Sequence, residues 1–178
     1  TGERSTGHHF GERVVEPYQI LIVDDEPLQR QLLRDLLEES GLEFQLEEAT
    51  DGQEALLKVA QRNFDVVLTD KRMPHIDGDE VCRRIRNDLS LPFVPIIMVT
   101  GRDDTESIAR AYAAGATDFM VKPIAWPVLP HRVGFVIRAH QTTGALRQSE
   151  ERTRALLQAF PDWIFRLDEA VAADATQR

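Results

Sequence analysis

Four short apolar runs recur along this chain: Ile20–Leu21–Ile22–Val23, Val66–Val67–Leu68, Ile96–Ile97–Met98–Val99 and Phe119–Met120–Val121. Each is continuous rather than alternating, the pattern of a strand buried on both faces in a parallel sheet covered by helices. A fifth segment, Phe44 to Ala49, alternates more and suits an edge strand. Helical patterns fill the gaps. Leu28, Leu32 and Leu36 recur every four residues, and Leu33 and Leu37 widen the row into one apolar face. Pro27 fits the first turn of that helix and Gly41 its end. Ala55, Leu56 and Val59 repeat the theme after Asp51–Gly52, and Val81 and Ile85 after Gly78. A fourth helix is predicted from Asp104 to Ala114, stopping at Gly115, where a left-handed cap is easy.

The order is therefore strand–helix repeated five times, from Tyr18 to the helix after Pro127. Such alternation predicts an α/β fold with a doubly wound parallel sheet. Five strands favour the flavodoxin-like order 2-1-3-4-5, whose crevice lies beyond the carboxyl ends of strands one and three. Both of those strands lead into acidic residues: Asp24–Asp25–Glu26 after the first, Asp70 at the end of the third. Three aspartates converging at one mouth repel one another, and a hard divalent cation with oxygen ligands such as Mg2+ relieves that. A metal so placed also offsets charge on an incoming phosphoryl group. Capping of the first helix explains one acid of the Asp24–Asp25 pair but leaves Asp70 unexplained. Strand four runs into Thr100–Gly101 and strand five into Lys122–Pro123, adding a hydroxyl donor and a mobile ammonium to the same rim.

Composition narrows the alternatives. A length of 178 residues allows one ordinary domain plus an extension. The net charge of −9 argues against a broad nucleic-acid-binding face. The single cysteine, Cys82, excludes an intramolecular disulfide and reads as a buried small hydrophobe. No apolar run approaches the roughly 20 residues that cross a bilayer, and no signal-peptide pattern opens the chain, so the cytoplasm is the expected compartment. Residues 1–16 read as a disordered leader, and His8–His9 within it lacks further metal ligands at useful spacing.

Taken together, Asp24–Asp25, Asp70 followed by Met73–Pro74 and Asp77–Gly78, Thr100–Gly101 and Lys122–Pro123 resemble the receiver domain of two-component response regulators. The resemblance covers Tyr18 to Gln141, with every motif in family order. It implies that Asp70 attacks the phosphorus of a phosphohistidine on a sensor histidine kinase or phosphotransfer protein and becomes an acyl phosphate. It implies that Asp25, Asp70 and the backbone carbonyl of Arg72 ligate Mg2+, with Asp24 acting through a water. Lys122 would pair with a phosphate oxygen, Lys122–Pro123 would be a cis peptide, and Thr100 would swing inward. Phe119, three residues before the lysine, would be the coupled aromatic of the switch. Arg72 and Arg102 occupy the positions that flank the attacking water and adjust dephosphorylation. His75 has no visible partner and reads as exposed.

Beyond the receiver, residues 17–141, a long helix is predicted from His131 to Phe160, with Pro161 as its stop. Val133, Val136 and Ile137 would pack as the fifth receiver helix. Residues 142–160 are more polar, with Arg147–Glu151 and Glu150–Arg154 at i,i+4 spacing. Leu146, Thr153, Leu156, Leu157 and Phe160 give an imperfect apolar stripe that suits a short dimeric coiled coil. The stretch from Gln148 to Asp168, including Trp163, Ile164 and Phe165, resembles the leading helix and first strand of a PAS domain, so residues 161–178 read as its truncated start.

Three functions compete. The first is a phosphorylation-controlled receiver relaying a change through its C-terminal helix to an output module outside the chain. Whether its phosphotransfer and autodephosphorylation make it an enzyme is a matter of definition. The second is a receiver fold serving only constitutive dimerisation or interaction, against which Asp24, Asp25, Asp70, Thr100 and Lys122 all speak. The third is a phosphatase with a phosphoaspartate intermediate, whose nucleophile would follow strand one rather than strand three.

Overall fold

The computed structural model describes residues 16–89, 91, 93–101, 105–123 and 126–159. Residues 1–15 of the expected leader, Arg102, and residues 160–178, where the PAS-like resemblance continues, lie outside the described residues. Strands β1 (Tyr18–Val23), β2 (Phe44–Ala49), β3 (Val66–Asp70), β4 (Ile96–Thr100) and β5 (Asp118–Val121) alternate with helices α1 (Pro27–Glu38), α2 (Gly52–Gln61), α3 (Gly78–Asn87), α4 (Thr105–Ala113) and α5 (Leu129–Ala159). All pairings are parallel, and the sheet order is β2-β1-β3-β4-β5. This is the predicted doubly wound order, with β2 at one edge.

Three of the four continuous apolar runs have the predicted cause; the fourth, in β5, lies at the other edge of the sheet with only Met120 buried. Every residue of β3 and β4 is buried. Alternate positions Leu21, Val23, Val67, Ile96 and Met98 share one core with Ala55 and Val59 of α2, Val81, Cys82 and Ile85 of α3, and Ala111 of α4. Ile20, Ile22, Leu68, Ile97 and Val99 are buried on the opposite face. Burial pushes the Cys82 thiol up to about 12, so it behaves as the inert hydrophobe expected.

Helix ends follow local chemistry. Asp51 caps α2 by accepting from the Glu54 N–H at 2.8 Å, while Glu54 reaches back to the Thr50 N–H at 2.8 Å. Asp77 caps α3 through the Glu80 N–H at 2.8 Å. Gly115 ends α4 with φ +102°, the left-handed conformation predicted for it.

The α1 stripe needs correction. Leu33 and Leu37 are buried, but Leu28 is 84% exposed and Leu32 lies outside the core. At about 100° per residue Leu28 lies on the opposite side of the helix from Leu37, so a face centred on Leu33 and Leu37 leaves Leu28 in water. The rotation is set by arginines: Arg30 and Arg34 both hold Glu48 of β2, at 3.2 and 2.6 Å, and Arg30 also donates to the Asp24 carbonyl at 2.7 Å.

The chain divides into two compact units at Gly134/Phe135. In the first, Leu129 and Val133 of α5 are buried; in the second, Val136 and Ile137 are buried, and the helix from Gln141 to Ala155 is exposed throughout. The residues of both expected i,i+4 pairs stand on that exposed stretch.

Candidate functional site

The parallel register brings four strand ends to one edge of the sheet. Val23 pairs with Thr69, Asp70 with Val99 and Thr100 with Val121, so the residues leaving β1, β3, β4 and β5 meet there. They line a cavity of about 260 Å3 walled by Asp24, Asp25, Asp70, Arg72, Thr100 and Lys122, together with Lys71 and Gln29. The five side chains selected from the sequence therefore share one space.

Within it, Lys122 is the centre of charge. Its ammonium donates to Asp70 Oδ1 at 2.7 Å and to Asp24 Oδ2 at 3.3 Å. The Lys122 N–H donates to the Thr100 carbonyl at 2.7 Å, which fixes where the side chain starts. Lys122–Pro123 is cis, as expected. The second oxygen of Asp70 accepts the Arg72 N–H at 2.6 Å, and Asp24 Oδ1 accepts the Glu26 N–H at 2.9 Å.

Burial and charge oppose each other here. Asp24 is 2% exposed, and burial raises its carboxyl above the ordinary value. The Glu26 N–H and the charge of Lys122 only partly offset this, and Asp70 adds to it. Burial also works against the Lys122 ammonium, but the hydrogen bond and charge of Asp70, then those of Asp24, outweigh it and raise its pKa. Asp25 is exposed on the cavity rim. The Arg72 guanidinium is exposed too, and passes 3.7 Å from where a Cβ on Gly101 would stand.

Gly78 explains why an Asp–Gly pair follows the phosphoacceptor candidate. Its Cα passes so close to the end of β3 that a Cβ would lie 2.5 Å from the Asp70 carbonyl oxygen. Its N–H donates to the Lys71 carbonyl at 2.9 Å. His75 is exposed, as expected, but adopts φ +66°, which nothing in its residue type signalled. Phe119 is half-buried and meets Tyr112 of α4 edge to face, with centroids 5.7 Å apart. Sequence reasoning missed Tyr112, and it missed that Lys71, a charged residue, is buried.

Fold and strand-end constellation together define the class: a flavodoxin-like α/β domain with an acidic, lysine-bridged pocket at the carboxyl ends of its strands. The sequence profile of the response regulator receiver domain matches residues 20–134, and the chain belongs to that family. Among curated relatives, transcriptional regulatory protein ResD of Bacillus subtilis is 39% identical over 126 residues, 70% of this chain and 50% of ResD. Transcriptional regulatory protein SrrA of Staphylococcus aureus is 34% identical over 140 residues, 79% of this chain and 56% of SrrA. The chain thus spans about half the length of these relatives. Among solved structures it is similar to chemotaxis protein CheY4 of Vibrio cholerae, with TM-score 0.62 and 33% identity over 67% of this chain and 98% of that one. The receiver domain of Francisella response regulator 1452 superposes with TM-score 0.63 at 28% identity, over 68% of this chain and 98% of that domain. No helix among the described residues is long and apolar enough to cross a membrane.

Proposed function

We infer that this receiver takes a phosphoryl group on Asp70 from the phosphohistidine of a sensor histidine kinase or phosphotransfer protein. The observation that carries the reading is the Lys122 ammonium bridging Asp70 and the buried Asp24 at the strand ends. Asp70 Oδ attacks phosphorus, the P–N bond breaks, the departing imidazole nitrogen takes a proton, and an acyl phosphate forms. Lys122 then holds a phosphate oxygen in place of the carboxylate oxygen it now holds, and the Arg72 N–H, already aimed at Asp70 Oδ2, is placed to donate beside it. Thr100, 5% exposed on the same cavity, supplies a hydroxyl.

The donor set suits Mg2+: the carboxylates of Asp25 and Asp70, the Arg72 carbonyl, and Asp24 through a water are all hard oxygen ligands. Burial is the chief cause of the raised Asp24 carboxyl, and a cation held beside it would favour the ionised form. Among the described residues no three acidic, His or Cys side chains form a metal-holding group, so the Arg72 carbonyl would have to complete the donor set. Bound there, Mg2+ would screen the charge between carboxylate and phosphoryl oxygens.

In this reading residues 17–141 are the receiver, 142–160 a signalling helix that pairs two copies as a short coiled coil, and 161–178 the start of a PAS-like module. Its support is the continuation of α5 to Ala159, with the stretch from Gln141 to Ala155 exposed. ResD and SrrA are transcriptional regulators by name; the net charge of −9 argues against a broad nucleic-acid-binding face on this chain. We place it in the cytoplasm.

The test is intact mass after incubation with acetyl phosphate and Mg2+. One phosphoryl increment, absent in Asp70→Asn, supports the reading. No increment leaves the constitutive interaction module, and rapid phosphate release without a stable increment favours the phosphatase.

A further inference from the structure

Lys71 follows the phosphoacceptor candidate directly, yet it is 8% exposed. Its backbone is pinned on both sides, its N–H donating to the Val99 carbonyl at 2.8 Å and its carbonyl accepting from Gly78. Its side chain crosses to α4, where the ammonium donates to the Ser107 carbonyl at 2.7 Å. Asp79 in the first turn of α3 stands 3.5 Å from the same ammonium, and its Oδ1 is buried with no hydrogen-bond partner among the described residues.

This is a poor device for stability alone. A buried ion pair with one oxygen unsatisfied is commonly matched or bettered by apolar residues of the same size. It is a good device for registry, because a directional charged bond fixes one position that loose packing does not. Helix α4 needs such a fix: within it only Ser107 and Ala111 are buried, against Val81, Cys82 and Ile85 on α3. A cavity of about 640 Å3, lined by Lys71, Asp79, Ser107, Arg110 and Thr100 among others, leaves the first turns of α4 thinly supported. Lys71, Arg72 and Thr100 line both this cavity and the Asp70 cavity, so the two share a wall.

We propose that Lys71 is a positioning residue, a latch that ties the loop after Asp70 to helix α4 through Ser107, with Asp79 holding the ammonium in place. The loop that presents the Arg72 N–H to Asp70 and the first turns of α4 then shift together or not at all. Rearrangement around a phosphoryl group on Asp70 must first loosen the Lys71–Ser107 bond, so the latch slows phosphorylation and holds α4 in its resting place. The second half of this rests on Asp70 as the phosphoacceptor; the first does not.

The experiment uses the whole chain and four variants: Lys71→Met, which keeps the stem and removes the charge, Lys71→Arg, Asp79→Asn and Asp70→Asn. Two readouts are taken, amide hydrogen exchange across residues 105–113 and the rate of labelling by acetyl phosphate with Mg2+. In Lys71→Met, exchange across α4 is expected to accelerate at least tenfold while β1 and β3 keep their protection. Its maximal labelling rate should rise severalfold at an unchanged half-saturating acetyl phosphate concentration. Asp79→Asn should move both readouts the same way by less, and Lys71→Arg should restore both. Unchanged α4 exchange in Lys71→Met and Asp79→Asn overturns the latch, as does faster exchange with labelling unchanged or slowed. If the parent chain takes no more label than Asp70→Asn, the phosphoacceptor reading fails, and the exchange data alone decide whether Lys71 tethers α4.

Discussion

The Lys122 ammonium lies 2.7 Å from Asp70 Oδ1, reaching across the sheet from the end of β5 to the end of β3. It occupies the position from which a cation would follow charge from a carboxylate to a phosphoryl group. Lys122→Met should therefore lower the Mg2+-dependent labelling rate by about 100-fold, the usual effect of removing one preorganised charge donor. It also leaves Asp24 and Asp70 facing each other without their cation, a loss of roughly 1–3 kcal/mol. Thermal melts with and without Mg2+ check this: Mg2+ should raise the melting temperature more in Lys122→Met than in the parent. An equal rise in both proteins would remove Lys122 from the charge balance of the site.

Asp24 should trade stability for function. Its carboxyl is raised chiefly by burial, so the ionised form is less favourable in the fold than in the unfolded chain. A raised carboxyl contributes stability below its unfolded value and loses that contribution as pH rises through the folded one. At neutral pH the ionised group is then a net cost. Asp24→Asn keeps the size and removes the charge, so without Mg2+ it should melt a few degrees higher at pH 7. It should also label more slowly with Mg2+. A variant that melts lower without Mg2+ counts against the argument.

Acid should act through α2. The Glu54 carboxyl sits at about 2, held down first by the Thr50 N–H and then by Lys58 and the Thr50 hydroxyl. A lowered carboxyl gives stability that is present above its ordinary 4.5 and lost as pH falls toward about 2. Melting temperature followed from pH 5 downwards should decline less steeply in Glu54→Gln than in the parent, with the curves parallel above pH 5. The difference will be modest, because the group is partly exposed and screened. Identical slopes would show that the capping pair carries no acid sensitivity.

Gly78→Ala should damage the site through the backbone. The added Cβ would meet the Asp70 carbonyl oxygen at 2.5 Å and the Lys71 Cα at 3.0 Å, and neither is a flexible side chain that can yield. Overpacking of this kind costs about 1–3 kcal/mol. Because the strain falls on the residue that presents the carboxylate, labelling at Asp70 should slow even at temperatures where the variant is fully folded. Far-UV circular dichroism paired with labelling at 15 °C separates the two effects, and full labelling in a folded variant would sink the claim.

What the sequence showed and what it hid have physical reasons. Buried parallel strands write themselves as unbroken apolar runs, so β1, β3 and β4 were readable, and the alternation in Phe44 to Ala49 correctly marked an edge; the run in β5 gave its position but hid that it is the other edge, with only Met120 buried. Strand ends are fixed once the strands are, so Asp24, Asp70, Thr100 and Lys122 could be brought together from topology alone. The orientation of α1 was not readable, because it depends on Arg30 and Arg34 finding Glu48 on another element. Lys71 and Asp79 were passed over for a related reason. A charged residue beside a strand end, or an acid in the first turn of a helix, already has a bland explanation. Only their burial together distinguishes them.

His75 was half-legible, and it supplies the last test. Its exposure matched expectation, but its φ of +66° places it in the left-handed region, which costs a residue with a Cβ about 1–2 kcal/mol. The turn from Met73 to Gly78 imposes this: Ile76 N–H closes back on the Pro74 carbonyl at 2.8 Å, and Gly78 N–H on the Lys71 carbonyl at 2.9 Å. His75→Gly relieves the strain but adds freedom to the unfolded chain, so the net gain should be about 0.5–1 kcal/mol. The imidazole is exposed and does not line the Asp70 cavity, so labelling at Asp70 should stay within twofold of the parent. Denaturant melts paired with the acetyl phosphate assay decide it. A variant no more stable than the parent would mean that the loop relaxes out of the left-handed conformation, and a large change in labelling would mean that His75 helps to shape the site.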